Sequence, residues 1–379
     1  MLNKPLPIDL VEYFSNIEDP RVERQKLHAL SDILFIVFCG SICGVESWED
    51  FAVFSRAKLK FLKQHIPLTN GIPSKSTFQR VVSRLDPEAF RACFLKWVAD
   101  FDSSLGDVIA IDGKVIRRSF NHANEQSAIH MVSAFAAEAR LVLAQEKVDE
   151  KSNEITAIPK LIDMLNLKGA TVTLDAMGCQ KAITQKIIES DGHYVIAVKG
   201  NQKSLYEAIK NHFNNFFDMK NNKNVDVSVM EGASRSRVEK RECLATDSID
   251  WLKMKDDWVG IKSCVAIRSR RTINGKESTE YRYYISSRPA NAEQHNKIIR
   301  SHWAIENNLH WVLDVVFNED DSRIHAKHGA ENMAMIRHVV MNKLRIAQSH
   351  YPRKISLKGL RKSAGWNDDS LLSILCQRI

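Results

Sequence analysis

The chain has 379 residues, 44% of them hydrophobic and 26% charged, and its 54 Lys and Arg against 46 Asp and Glu give a formal net charge of +8. The length exceeds one ordinary core and predicts about two or three domains, while the composition is that of a globular chain rather than a disordered one. The basic balance permits a polyanionic partner without requiring one.

Seven cysteines are scattered at positions 39, 43, 93, 179, 243, 264 and 376, with no Cys-x-x-Cys pair. An odd, dispersed set reads as reduced thiols of a cytosolic protein and excludes a zinc ribbon or a disulfide framework. The longest apolar stretch, "ILFIVFCGSICGV" at 33–45, falls short of the roughly 20 residues of a spanning helix and reads as a buried helix. The opening "MLNKPLPIDLVEYF" lacks the apolar core of a secretory signal.

Residues 1–105 are predicted to form a helical N-terminal domain, because "LVEYFSNI", "LSDILFIVFCGSICG", "WEDFAVFSRAKLKFLKQH" and "EAFRACFLKWVADF" carry apolar residues at helical spacing. Within it, "GIPSKSTFQRVVSRLD" offers Ser74 and Ser76 as N-caps and an apolar stripe of Phe78, Val81, Val82 and Leu85. Lys75, Gln79, Arg80 and Arg84 fall mostly on the other face, as in the recognition helix of a helix-turn-helix or in any solvated surface helix.

From 107 the periodicity changes. "VIAID", "IHMVSAFAAE" and "LVLAQEKVD" read as strands, the last two as antiparallel neighbours; "ITAIPKLIDMLNL" is a helix, "TVTLDAM" a strand, "CQKAITQKIIESD" a helix and "YVIAVKGN" a strand. That order predicts an α/β fold with a mixed sheet and helices packed on it. Residues of about 221–290 read as a β-rich insertion, with Asn274-Gly275 as the turn of a long Arg-rich hairpin. Helices return in "AEQHNKIIRSHWAIENNLHWVLDVVF" and "ENMAMIRHVVMNKLRIAQSH"; residues 106–350 are expected to form one catalytic domain, and 351–379 a C-terminal tail.

Three carboxylates stand out. Asp112 ends the apolar run of "VIAIDGKVIRRSF", directly before Lys114, Arg117 and Arg118. Asp-Gly between apolar runs is also the signature of a hairpin turn. Asp175 ends "TVTLD" in the same way, and neighbouring strands would bring the two acids together. Adjacent carboxylates repel unless a cation lies between them, and Mg²⁺ suits one or two carboxylates completed by water and phosphate oxygens. The third, Glu306, shares a helix face with His302 and His310, beside a stripe of Trp303, Asn307 and Trp311. An ordinary surface Glu beside core Trp residues fits the same pattern. So does a zinc site of His302, Glu306 and His310, although that spacing is not a familiar one.

"AIDGKVIRRS", "KSNEITAIPKLIDML", "TVTLDAMGCQKAI", "YVIAVKGNQ" and "RSHWAIENNLHWVLDVVFNEDDSRIH", in that order, resemble bacterial insertion-sequence transposases of the DDE type, in the branch of the H-repeat-associated proteins. The resemblance runs from about residue 10 to about 350. It implies a ribonuclease-H-like mixed-sheet catalytic core with a β-rich insertion, and a catalytic, metal-holding triad of Asp112, Asp175 and Glu306. It implies Mg²⁺, with Mn²⁺ as substitute, and double-stranded DNA as partner, both as insertion-sequence ends and as target. It also implies hydrolysis at the element ends followed by joining of the freed 3′-hydroxyl to target DNA, a homodimer on DNA, no membrane association, and a cytoplasmic, nucleoid-associated location in a bacterium. Relatives carry Tyr, Arg and Lys around the Glu where this chain has Ile299, His302 and Leu313. Those roles therefore do not transfer, and His302 or Arg300 is the expected substitute as phosphate contact. Lys114, Arg117 and Arg118 are further expected DNA contacts; Lys199, Asn201 and Gln202 of "AVKGNQ" are either DNA contacts or a polar turn, and Trp303 either stacks on an unpaired base or belongs to the core. "KSNE" at 151–154 has no assigned role beyond a turn and helix cap. The rival readings are a DNA-binding remnant that no longer transposes and a zinc-dependent hydrolase.

Overall fold

Apolar residues on nearly every side of "LSDILFIVFCGSIC" demand burial all round, and this segment is the central helix of the first third of the chain. The computed structural model describes residues 9–100, 106–120, 127–149, 152–214, 216–217, 224–234 and 237–377. Among the described residues six α-helices come first: α1 (Asp9–Phe14), α2 (Leu30–Cys43), α3 (Trp48–Ala57), α4 (Leu59–His65), α5 (Lys75–Val82) and α6 (Pro87–Ala99). α2 is buried from Ile33 to Ile42. The single helix expected over "WEDFAVFSRAKLKFLKQH" breaks at Lys58 into α3 and α4. On α5, Ser74 is the N-cap and accepts from the Thr77 N–H, while Phe78, Val81, Val82 and Leu85 are buried. Gln79, Arg80 and Arg84 are exposed, and Lys75 pairs with Glu49 at 3.4 Å.

The strands and helices that follow are β1 (Val108–Val115), β2 (His130–Ala136), β3 (Leu141–Lys147), α7 (Glu154–Asp163), β4 (Thr171–Leu174), α8 (Lys181–Glu189), β5 (His193–Val198) and α9 (Lys203–Phe213). Then come β6 (Asp226–Ser234), β7 (Arg237–Thr246), β8 (Ser263–Ile273) and β9 (Lys276–Ser286). The nine strands among the described residues form one sheet in the order β3-β2-β1-β4-β5-β9-β8-β7-β6. β1, β4 and β5 are parallel neighbours, and every other pairing is antiparallel. A helical region followed by this mixed sheet with helices packed on it is the ribonuclease-H-like arrangement expected. The β-rich segment joins it directly, because β9 pairs with β5 from Val195↔Ser286 to Val198↔Tyr283. Its β8–β9 turn is the expected one: Asn274 and Gly275 both have positive φ, 51° and 79°.

The last third contains α10 (Ala292–Ile305), a π-helical turn (Glu306–His310), α11 (Trp311–Val315), α12 (Gly329–Ser349), α13 (Leu357–Trp366) and α14 (Asp368–Cys376). Residues 357–376 of the segment expected as a tail are thus two helices, and they pack on α2 and α12. The main hydrophobic cluster runs from Leu10 through α2, the sheet and α12 to Leu375, and two smaller ones lie around Val195, Val265 and Ile298 and around Ile116, Met131 and Ala334. The expected boundary at 105, the onset of the insertion at about 221 and Lys151 of "KSNE" lie outside the described residues. No single helix among the described residues is long and apolar enough to cross a membrane.

Candidate active site

β1 does not turn at Asp112-Gly113. It continues to Val115, with Asp112 opposite Ser133 and Gly113 opposite Val132 of β2. The hairpin expectation fails because Gly113 serves a close approach rather than a turn: a Cβ there would collide with the Glu154 carboxylate and the His130 ring. These two side chains are themselves paired at 2.9 Å. Asn153 caps α7, its side chain accepting from the Ile155 N–H, which sets Glu154 at that helix's first turn beside β1.

The first two acids meet through strand register. β1 and β4 are parallel, and their last pair is Ile111↔Leu174. One residue further on each chain stands an aspartate, Asp112 and Asp175. Asp175 Oδ1 accepts from the N–H of Met177 at 2.8 Å and of Gly178 at 3.3 Å, so its side chain closes the turn that ends β4. The carboxyl ends of parallel strands are where open α/β sheets place their ligands.

Glu306 reaches the same place from the opposite layer. The helix that carries it widens into the π turn at this residue, and the Trp311 N–H donates to Glu306 O in the wider hydrogen-bonding pattern. Asn307 Nδ2 donates to Trp303 O at 2.9 Å, and Arg345 Nη2 to Asn308 O at 3.1 Å. These two bonds satisfy carbonyls at the widened segment. A π turn inside an α-helix is a frequent mark of a functional site.

Asp112, Asp175 and Glu306 line one cavity of about 520 Å³. Thr173, His302, Arg282, Tyr283 and Trp303 also line it. Arg282 stacks on Trp303 with 4.7 Å from guanidinium to ring centre and pairs with Glu280 at 2.7 Å. Burial pushes the Asp112 carboxyl up to about 7, and the nearby Glu306, Asp175 and Glu154 carboxylates add to the rise. An all-oxygen donor set with mutual repulsion suits a hard divalent cation. Among the described residues no three His, Cys, Asp or Glu side chains close on one point as a finished metal cage. Mg²⁺ does not require one, since it keeps several waters and takes substrate phosphate oxygens.

The zinc arrangement is not formed. His302 Nδ1 is hydrogen-bonded to Thr173 Oγ1 at 2.9 Å, and His310 Nδ1 lies 3.6 Å from Asp112 Oδ2. Burial holds both imidazoles down to about 4, helped by Arg282 for His302 and by Lys114 for His310. A neutral His302 does not supply the positive charge expected of a phosphate contact. Ile299 and Leu313, at the other two departing positions, are buried apolar residues.

The expected DNA contacts divide. Lys114 does not face outward: its ammonium is bound by Asp314 at 2.8 Å, Asp320 at 3.0 Å and Glu319 at 3.2 Å. Asn201 and Gln202 donate to Ala176 O at 2.6 Å and Cys179 O at 2.9 Å, so they brace the loop that follows Asp175. Lys199 is exposed on the cavity rim, as is Trp303 at 38%. Arg117 and Arg118 are exposed, with ion pairs to Asp320 at 3.3 Å and Asp321 at 3.1 Å, and Arg300 is exposed on α10. Sequence reasoning missed Glu154, Arg282 and the acids around Lys114. Glu154 had a signal in the unassigned "KSNE", and Arg282 one in the Arg-rich hairpin.

A model described as "Transposase DDE domain" matches residues 103–343, and one described as "DDE_Tnp_1-associated" matches residues 11–98. The chain is 43% identical over 375 residues to the H repeat-associated putative transposase YhhI of Escherichia coli strain K12, covering 97% of each chain. It is 41% identical over 342 residues to the putative transposase YncI of Escherichia coli O157:H7, covering 89% of this chain and 87% of that one. A third relative, the H repeat-associated putative transposase YbfD of strain K12, is 44% identical over 246 residues, or 64% of this chain and 96% of its own length. With its catalytic-domain match spanning well over half its length, the chain belongs to the DDE transposase family.

Proposed function

We propose that this protein is a metal-dependent DNA transposase that cleaves phosphodiester bonds at insertion-sequence ends and transfers the freed 3′-hydroxyl to target DNA. The observation that carries the reading is the convergence of Asp112, Asp175 and Glu306 on one cavity from three separate elements. Divalent ions held by these carboxylates, Mg²⁺ or Mn²⁺, would supply Lewis acidity at the scissile phosphate.

The chain's own residues fix the geometry. β1 and the turn after β4 set two carboxylates side by side, and the π turn delivers the third. Asn201 and Gln202 hold the loop that follows Asp175, and Thr173 orients a neutral His302 in the same cavity. Lys199 and Arg282 on the cavity wall supply positive charge for a phosphate chain. In hydrolysis, water attacks phosphorus, the P–O3′ bond breaks, and a 3′-hydroxyl and a 5′-phosphate are released. In transfer, that hydroxyl attacks a target phosphodiester and displaces a second 3′-hydroxyl. Two element ends must be joined, so the working unit is a pair of copies on DNA.

Purified protein incubated with supercoiled plasmid carrying the DNA that flanks its own gene tests this. Nicking at the element ends is expected with Mn²⁺ and not with EDTA, and Asp175→Ala is expected to lower it by at least about 100-fold. End binding without wild-type cleavage points instead to a transposase remnant, and cleavage that survives in Asp175→Ala removes Asp175 from the site.

A further inference from the structure

Beside the cavity that holds the three acids lies a second hollow of about 480 Å³, lined by Glu239, Arg241, Arg271, Arg282, Arg300 and Trp303. Arg282 and Trp303 belong to both, so the two are continuous. Arg241, Arg300 and Glu239 also line a third hollow of about 600 Å³, with Glu231 on its rim. The trough therefore runs from the acids, past the last turns of α10, across β9, β8 and β7 to β6.

Its cations are not equally committed. Arg271 is held by Glu239 at 3.1 Å and Glu280 at 3.4 Å, and Arg282 by Glu280. Arg241 is 4% exposed, yet its Nε and Nη2 have no hydrogen-bond acceptor among the described residues. Arg300 projects from α10 into the same space and forms no ion pair among the described residues. A buried guanidinium with unmet donors is costly. Its planar fork matches the oxygens of a phosphate.

We propose that Arg241 and Arg300 form a phosphate subsite on the β-rich extension of the sheet, which grips the DNA backbone beyond the scissile phosphate. The inference rests on the DNA-cleaving reading of the adjoining cavity and adds to it a route for the strand. The strand leaves the acids, passes Arg282 and Trp303, and is held where Arg241 lacks a partner. None of the short motifs points to Arg241, which is an inward residue of a strand in the middle of an antiparallel ribbon.

Fluorescence anisotropy of the full-length protein on a duplex oligonucleotide carrying its element end, in EDTA and across a chloride series, tests the subsite. Arg241→Gln and Arg300→Gln are each expected to weaken binding on the order of tenfold near 0.1 M salt and to lower the slope of log K against log salt by about one. Arg241→Lys is expected to restore the slope but only part of the affinity. If Arg241→Gln melts at a lower temperature, the exposed Arg300→Gln decides. Wild-type affinity and slope in both Gln variants overturn the proposal. Cleavage is scored separately: metal-dependent nicking with unchanged binding in the variants sinks the subsite and leaves the transposase reading standing. Lost slope without nicking by the wild type does the reverse.

Discussion

Lys114 shows how one side chain can be placed correctly in sequence and wrongly in space. Its position two residues after Asp112 puts both on one face of β1, and a cation beside a metal-binding acid suggests a phosphate contact. The outcome depends on what that face meets. It packs against the layer of α11 and the turn after it, where Asp314, Glu319 and Asp320 surround the ammonium. Glu319 is 2% exposed and is shared with Arg337 at 3.3 Å. The Lys114 side chain is itself 11% exposed. Removing one partner from a buried ionic group leaves the others uncompensated, at a cost of about 3–5 kcal/mol. Lys114→Met is therefore expected to lower the free energy of unfolding by that amount in urea titration. Wild-type stability combined with weaker DNA binding would instead return Lys114 to the DNA-contacting set. Asp112 and Asp175 were legible because an apolar strand ending in a carboxylate is a short-range pattern. The acids around Lys114 lie some 200 positions away in the chain, and no local spacing announces them.

At the scale of elements, periodicity found most strands and helices, and it failed where hydrogen bonding departs from the regular pattern. The stretch from 292 to 316 has helical spacing throughout, so it reads as one α-helix. The π turn within it is invisible to that test, because apolar and polar residues still alternate on a similar period. Its sequence trace is weak: Asn307 and Asn308 stand where the wider turn frees carbonyls that need partners. The turn determines which way Glu306 points relative to α10, and how α11 is rotated to bring Asp314 to Lys114. Deleting Asn308 would restore a regular helix and turn everything after it. The expected result is a folded protein of unchanged helix content by circular dichroism whose end cleavage falls by at least about 100-fold, the loss that a misplacement of about 1 Å produces. Unimpaired cleavage would show that the π turn is not what positions Glu306. The β-rich segment was also legible, through Asn274-Gly275, but its fusion to the sheet was not. Pairing of β9 with β5 joins residues about 90 positions apart, and an exposed or a paired edge looks alike in sequence.

At the scale of the whole molecule, amphipathic patterning suggested a helical N-terminal domain standing before a catalytic one, yet α2 has no free face. Its burial draws on α12 and on α13 and α14 from the far end of the chain. Polar contacts bind the same elements. Arg361 on α13 donates to Ser41 O at 3.0 Å and to Val316 O, and its guanidinium lies 4.2 Å from the centre of the Phe317 ring. Lys343, buried in the middle of α12, donates to Leu375 O at 3.3 Å and Gln377 O at 2.7 Å. Lys58 pairs with Asp368 at 2.6 Å. A segment that completes its core only with helices from the other end of the chain lacks the apolar burial needed to offset its own conformational entropy. Residues 1–105 produced alone are accordingly expected to show no cooperative thermal transition and little near-ultraviolet circular dichroism from Trp48 and Trp97, whereas the full chain shows both. A sharp melt of the fragment would mean that α1 to α6 hold a sufficient core among themselves. The helices would then be a separable DNA-binding module rather than one side of the same body that carries the acids.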